Sequence, residues 1–289
     1  MAKREISFPH QLKSLNGVNI ENIITTALRE DIGKGDITSS ILTSDKRVKA
    51  IVIAKTGGVL CGLKVFERVY KIIDPEIEIR FKKQEGETVN PMAMVVDIVG
   101  KASSITTGER VALNFLMFMS GIATRVNQLV KKIRKYPTKL LDTRKTIPGL
   151  RELQKYAVAV GGGYNHRMGL YDMVLIKENH INAAGGLKIA VELARTKYAN
   201  IPIEVEVSNI DEVKEALRTD ADIVMLDNFD DALVRKAFSI LKDHKYVEIS
   251  GNVDEKRLVE LAKMGVDFVS MGLLTHTIKP MDLSLLILA

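Results

Sequence analysis

Between residues 139 and 270 the chain alternates short apolar runs with longer stretches of helical periodicity. The apolar runs, rich in β-branched residues, begin near Lys139, Asp172, Ile203, Asp222, Tyr246 and Asp267. Each of the first five leads to a segment of helical spacing: PGLRELQKYAVAV, LKIAVELARTKY, IDEVKEALRT, DALVRKAFSILKD and DEKRLVELAKMG. Strands alternating with helices in this way predict βα units and a parallel sheet. Six units fall short of the eight of a full barrel, so the expected fold class is α/β with an incomplete (β/α) barrel of about six to seven strands. An open doubly wound sheet is the alternative.

The first 110 or so residues read differently, as an α+β unit. IENIITTALRED has helical spacing and runs into the turn-rich DIGKGDIT. RVKAIVIAKTGGVLCG reads as two strands about a Gly-Gly turn, and LKVFERVYKII as an amphipathic helix. EIEIRFKKQEGETV and MAMVVDIVGKA alternate like paired strands. TTGERVALNFLMFMSGIATRVNQLVKKIRKY predicts a buried helix, with capping-box spacing between Thr106 and Glu109 and an interruption at Gly121. Arg110 then stands in the first turn, where a cation opposes the helix dipole and favours an external anion as its partner.

Composition narrows the class. With 46% apolar and 27% charged residues in 289, the chain has ample material for a soluble core. The single cysteine, Cys61, excludes an internal disulfide or a zinc cluster and points to a reducing compartment. No apolar run reaches the length of a membrane span, and MAKREISFPHQLKS lacks a signal-peptide stretch, so a cytoplasmic protein without a membrane partner is expected. The net charge of +6 comes without Trp and with Lys and Arg scattered among acids, which argues against a nucleic-acid partner.

In parallel βα folds, ligands bind at the carboxyl ends of the strands. Those ends carry Asp142, Thr143, Arg144 and Lys145; then Lys177, Glu178, Asn179 and His180; then Glu204 and Glu206, at period two within IEVEVSN. Asp227 and Asn228 follow, then Ser250, Gly251 and Asn252, then Ser270 and Gly272. A Glu204/Glu206 face turned inward is costly unless cations compensate, and Arg144, Lys145, His166, Arg167 and Lys177 are at hand. The last two ends are small and neutral, like backbone phosphate cradles. One side of the mouth therefore suits a phosphate and the other carboxylates. Glu206 and Asp227 are hard oxygen donors suited to Mg²⁺ held mostly through substrate phosphates. GGGYNH at 161–166 fits neither a dinucleotide fingerprint nor a P-loop.

These residues resemble the quinolinate phosphoribosyltransferase family (nicotinate-nucleotide pyrophosphorylase, carboxylating). The likeness runs through EDIGKGDIT, GERVALNFLMFMSGIAT, LLDTRKTIPGLR, GGGYNHRMGLYDMVLIKENHI, IEVEVSN, MLDNF, EISGNV and VDFVSMGLLTH. It implies an amino-terminal α/β sandwich over residues 1–110, joined by the segment 277–289, and a catalytic barrel over 111–276. It implies transfer of phosphoribose from phosphoribosyl pyrophosphate to quinolinate with loss of CO₂, giving nicotinate mononucleotide for NAD synthesis. Lys145, Lys177, Glu206 and Asp227 would be catalytic. Arg144, Lys145, His166, Arg167 and Lys177, with Thr143, would line the basic pocket. Glu206 and Asp227 would serve the ribose hydroxyls and Mg²⁺. Ser250, Gly251 and Asn252, with Met271, Gly272 and Leu273, would hold the 5′-phosphate, although Met271 and Leu273 are larger than expected there. A homodimer or dimer-based hexamer is implied, with Arg110 reaching the neighbouring subunit's site.

Three rival readings stand beside it, one of them a non-catalytic anion-binding or regulatory protein. A Schiff-base aldolase or lyase would use Lys145 or Lys177 as nucleophile. A pyrophosphorylase-like paralogue would keep the fold with a different acceptor.

Overall fold

A computed structural model describes residues 3–42 and 46–288. In chain order the first elements are α1 (Ile20–Ile32), β1 (Arg47–Ala54), β2 (Gly58–Val59), α2 (Leu63–Ile73), β3 (Glu78–Phe81), β4 (Thr88–Val89), β5 (Met94–Lys101) and α3 (Ala102–Ile133). There follow β6 (Lys139–Leu141), α4 (Arg151–Val160), β7 (Val174–Ile176), α5 (Glu178–Ala184), α6 (Leu187–Lys197), β8 (Ile203–Val207) and α7 (Ile210–Leu217). The chain closes with β9 (Ile223–Asp227), α8 (Asp231–Leu241), β10 (Tyr246–Ser250), α9 (Glu255–Met264), β11 (Phe268–Ser270), α10 (Leu273–His276) and β12 (Leu283–Leu288). Contacts group these into two compact units that are discontinuous in sequence.

One unit comprises Leu12–Gln128, Thr146–Gly162 and Leu274–Ala289. Its sheet has the order β12-β1-β5-β3, with antiparallel pairing throughout. β1 alternates between buried and less buried positions, as a strand with one covered face should. The amphipathic α2 buries Leu63, Val65, Phe66, Val69 and Tyr70. Its start is satisfied by Glu85, whose carboxylate accepts the Gly62 and Leu63 N–H groups at 2.7 and 3.0 Å.

The long helix departs from expectation. α3 begins at Ala102, so Thr106 is interior: its hydroxyl donates back to the Ala102 and Ser103 carbonyls at 3.0 Å rather than capping. Arg110 therefore lies well inside α3, on its exposed side, and the first-turn dipole argument does not apply to it. Nor does Gly121 interrupt the helix. A Cβ there would come within 2.4 Å of the Lys279 carbonyl oxygen and 2.9 Å of Pro280 Cα, so the glycine permits a close backbone approach.

The other unit comprises Met1–Gln11, Leu129–Lys145 and Gly163–Leu273. Its six strands are parallel in the order β6-β11-β10-β9-β8-β7. Among the described residues no ladder joins β6 to β7, so the sheet is not closed as a full barrel would be. β8, β9, β10 and β11 are buried along most of their length, which requires cover on both faces. The last residues of β9 and β10, Asp227 and Ser250, escape full burial. Asn209, Asp230 and Asp254 cap α7, α8 and α9 by accepting N–H groups of the first turn at 2.8–2.9 Å. At the amino ends of the strands Phe8 packs with Met173, Ile223 and Phe268. The segment ENHINAA, read from sequence only as a strand end, forms α5.

Candidate active site

The polar residues at the carboxyl ends of the parallel strands sort into two depths. At the mouth, Lys177 directly follows β7 and forms an ion pair through Nζ with Glu206 Oε2 on β8. On β9, Asp227 Oδ2 accepts the Asn228 side-chain amide at 2.8 Å. After β6, Thr143 Oγ1 accepts the Lys145 N–H at 3.0 Å, a local turn that leaves Arg144 and Lys145 exposed. Arg167 is only 7% exposed. Its Nη1 donates to the Met173 carbonyl at 3.3 Å, while its Nε has no acceptor. Burial, and after it the charge of Arg144, draws the Arg167 pKa below the ordinary arginine range, against the opposing pull of Glu204 and Asp172.

One step deeper lies a sealed cluster. His166 Nδ1 accepts the Arg167 backbone N–H at 2.7 Å, so the neutral ring carries its hydrogen on Nε2. Nε2 donates to Glu204 Oε2 at 2.9 Å, and Glu248 Oε2 stands 3.6 Å from the same nitrogen. Glu204 and Glu248 are wholly buried. Burial pushes both carboxyl pKa values up to about 8, and for Glu248 the charge of Glu204 adds to it. Two such acids titrate as a pair and retain a proton at neutral pH. Phe8 meets the His166 ring edge-on at 5.2 Å. Asp142, also fully buried, accepts the His166 N–H at 2.9 Å and the Asn165 amide at 2.7 Å, tying this segment to the end of β6.

His166, Glu204 and Glu248 offer ligand atoms within 4.8 Å of one another, but a metal there conflicts with the tautomer. The nitrogen facing the acids bears the hydrogen, and freeing it would set Nδ1–H against the Arg167 N–H. Glu206 and Asp227, at the less buried end, are hard oxygen donors, Glu206 being ion-paired with Lys177.

The structure thus brings Thr143, Arg144, Lys145, Lys177, Glu206, Asp227, Ser250, Gly251 and Asn252 to one end of one sheet, while Arg167, off the strands, rests its Nη1 on the Met173 carbonyl ahead of β7. His166 belongs beneath that surface, with both ring nitrogens turned to internal partners. Met271 is buried and its N–H pairs with the Leu141 carbonyl at 3.0 Å, so it serves the sheet edge; Gly272 follows, and Leu273 opens α10. Arg110 lies in the other compact unit. Sequence reasoning missed Glu248, although YVEIS places a charge inside an apolar strand just as IEVEV does. A cavity of about 500 Å³ lies at the opposite strand ends, lined by Arg4, Arg195 and Lys245 among others. Lys245 is spent on the carbonyls of Thr219 and Ala221, and Arg195 on those of Ala199, Ile201 and Asp220 and on the Asp222 carboxylate at 2.7 Å.

Parallel βα strands that end in cations and carboxylates, beside a neutral glycine turn, define an anion-handling enzyme of the α/β class. Residues 36–120 match the family model for the quinolinate phosphoribosyl transferase N-terminal domain, and residues 122–286 that for the C-terminal domain. The "Probable nicotinate-nucleotide pyrophosphorylase (carboxylating)" of Synechocystis sp. is 44% identical over 250 residues, 84% of each chain. The protein of that same description from Methanocaldococcus jannaschii is 40% identical over 274 residues, 91% of this chain and 95% of that one. The solved nicotinate-nucleotide pyrophosphorylase of Francisella tularensis superposes with a TM-score of 0.93 at 44% identity, covering 96% of this chain and 99% of that one. The chain belongs to the quinolinate phosphoribosyltransferase family.

Proposed function

We propose that the protein transfers phosphoribose from phosphoribosyl pyrophosphate to quinolinate with decarboxylation, yielding nicotinate mononucleotide, pyrophosphate and CO₂. The observation that carries this reading is the buried guanidinium of Arg167, whose Nε lacks an acceptor, with the exposed Arg144 after β6 as the nearby cation whose charge, after burial, lowers the Arg167 pKa. Two guanidinium groups, one buried and one exposed, are matched by a substrate bearing two carboxylates. Across the mouth, Glu206 and Asp227 take the ribose hydroxyls, and the Ser250–Asn252 turn, with Gly272 and Leu273, takes the 5′-phosphate. Lys177 exchanges Glu206 for anionic substrate, and Lys145 adds a second mobile cation.

As pyrophosphate departs, positive charge grows on the ribose, and the Glu206 and Asp227 carboxylates stabilise it. Mg²⁺, when bound, compensates the charge of the leaving pyrophosphate. Arg144 and Arg167 hold the pyridine ring in line for attack by its nitrogen. The resulting pyridinium stabilises the carbanion left when CO₂ is lost, and a proton from water then completes the C–H bond of nicotinate mononucleotide. His166, fixed from below, holds the Arg167 backbone in place.

In this reading the open six-stranded sheet is the wall of an incomplete barrel, with support from its strand order and from the buried Glu204 and Glu248. The protein works in the cytoplasm as a homodimer or dimer-based hexamer, Arg110 of one subunit serving its neighbour. Among the described residues no helix is long and apolar enough to cross a membrane.

The deciding experiment supplies purified protein with Mg²⁺, phosphoribosyl pyrophosphate and carboxyl-labelled quinolinate. Labelled CO₂ and nicotinate mononucleotide are expected in equal amounts; use of nicotinic acid with quinolinate ignored would overturn the acceptor assignment. Mixing inactive Arg110→Ala and Lys145→Ala proteins tests the shared site. Recovery of activity is expected, and none would be seen if each subunit used its own Arg110.

A further inference from the structure

Two consecutive strand-end turns, 227–231 at the end of β9 and 250–252 at the end of β10, are bolted together through two side chains, Asn228 and Arg257, that the reaction scheme leaves unassigned. Asn228 and Asn252 both adopt left-handed backbone, with φ of 56° and 52°, an uncommon and strained state outside glycine. Asn228 uses that geometry fully. Its N–H donates to the Ser250 carbonyl at 3.0 Å, its side-chain amide donates to Asp227 Oδ2 at 2.8 Å, and its Oδ1 accepts from Asn252 Nδ2 at 3.1 Å. Between them Gly251, at φ 86°, passes so close that a Cβ would fall 2.2 Å from Asn228 Oδ1.

Arg257, on the first turns of α9, spans the same two turns from behind. Its side chain is 17% exposed. Nη1 donates to the Gly251 carbonyl at 3.1 Å and the Asn252 carbonyl at 3.3 Å. Nη2 donates to the Phe229 carbonyl, and Nε to Asp231 Oδ1 at 3.1 Å. A planar fork with fixed donors holds several acceptors at set separations, which a single ammonium cannot do.

We propose that Arg257 is a positioning residue for the phosphoribosyl half of the site, fixing the distance between the Asp227 carboxylate and the Ser250–Asn252 turn. This rests on the reading above, in which Asp227 meets the ribose and that turn the 5′-phosphate. A ribose 5-phosphate unit has one length, so the two ends of its cradle must keep one spacing, and Arg257 with Asn228 supplies it. Neither side chain needs to touch substrate. Quinolinate, held at the other side of the mouth, is indifferent to them.

The test is steady-state kinetics on the full chain carrying Arg257→Lys, with Asn228→Gly as a second variant that keeps the left-handed backbone and removes the amide. Ribose 5-phosphate serves as a competitive probe that reads binding without turnover, and Asp227→Asn serves as the control on the reading itself. Both positioning variants are expected to raise the KM for phosphoribosyl pyrophosphate and the Ki of ribose 5-phosphate by on the order of tenfold. The KM for quinolinate and the melting temperature stay near wild type. A lowered melting temperature with both substrate constants unchanged, or equal changes for the two substrates, would make Arg257 a structural strap only and overturn the proposal. If Arg257→Lys does not fold, Asn228→Gly alone decides on the same criteria. If Asp227→Asn leaves the ribose 5-phosphate Ki unchanged, the assignment of this side of the mouth fails, whatever Arg257 does.

Discussion

His166 Nε2 donates to Glu204 Oε2 at 2.9 Å from a ring whose other nitrogen is already occupied by the Arg167 N–H. The ring is thereby locked, and a wholly buried carboxyl receives a donor that water cannot replace. His166→Ala is expected to lower stability by about 2–4 kcal/mol, because it removes that donor and opens a cavity beside Phe8. Urea denaturation checks this, and wild-type stability in the variant would contradict the buried arrangement.

Glu248 gives the stability a pH slope of definite sign. Its folded pKa is raised from 4.5 to about 8, so between those values the folded protein holds a proton that the unfolded chain has released. Stability from this group is therefore fully present below pH 4.5 and is lost as pH rises through about 8. Glu248→Gln, which cannot ionise, is expected to flatten that decline. Thermal melts at pH 5 and pH 8 should show the variant gaining on wild type at the higher pH; a constant difference would refute the shift.

Asp36 works in the opposite sense. Its carboxylate accepts the Thr38 and Ser39 N–H groups at 3.0 and 2.9 Å and the Thr107 hydroxyl at 2.8 Å. These bonds, Ser39's first, hold its pKa at about 2. The contribution is present above the ordinary value of 3.8 and is lost as pH falls through about 2. Asp36→Ala is expected to cost about 1–2 kcal/mol at pH 7, with the gap from wild type narrowing on acidification below pH 4. Denaturant melts at pH 7 and pH 3 measure it.

Gly121→Ala separates two meanings of a helix glycine. In an open helix interior the change stabilises by about 1 kcal/mol through propensity alone. Here the new methyl meets backbone atoms of Lys279 and Pro280 that cannot swing aside. A net loss of about 1–3 kcal/mol is expected. A gain in melting temperature would show that the approach is looser than described.

Arg144→Ala probes the carboxylate side of the mouth. Arg144 is exposed, so stability should change by about 0.5 kcal/mol or less. The KM for quinolinate should rise on the order of a hundredfold through loss of a bidentate partner, with little change in the KM for phosphoribosyl pyrophosphate. An equal rise in both would place Arg144 elsewhere in the reaction.

Much of this was legible beforehand, for identifiable reasons. The strands near Lys139, Ile203, Asp222 and Tyr246 appeared where apolar runs and turn residues placed them, because strand and helix periodicities are local properties. The cations Arg144 and Lys177 and the acids Glu206 and Asp227 could be named, because strand ends in parallel folds are where ligands meet protein. Thr106 misled because its spacing to Glu109 mimics a cap, whereas the helix was already running from Ala102. Arg257 gave no signal, since a basic residue on a charged helix looks like any solvated one until the turns behind it are seen.

The order of strands and helices, the cationic strand ends and the family motifs were determined by the sequence alone. All of these are written in spacing along the chain. Depth was decided only by the tertiary structure. Glu204 and Glu206 share one face of β8, yet Glu204 is sealed with His166 and Glu248 while Glu206 stays at the mouth with Lys177. What separates them is the matter packed around each: Glu204 lies under the His166 ring, which Phe8 backs and which Glu248 of β10 also approaches, whereas Glu206 meets Lys177. Burial is a sum over neighbours distant in sequence, and it sets which carboxyl keeps its proton and which stays open to substrate.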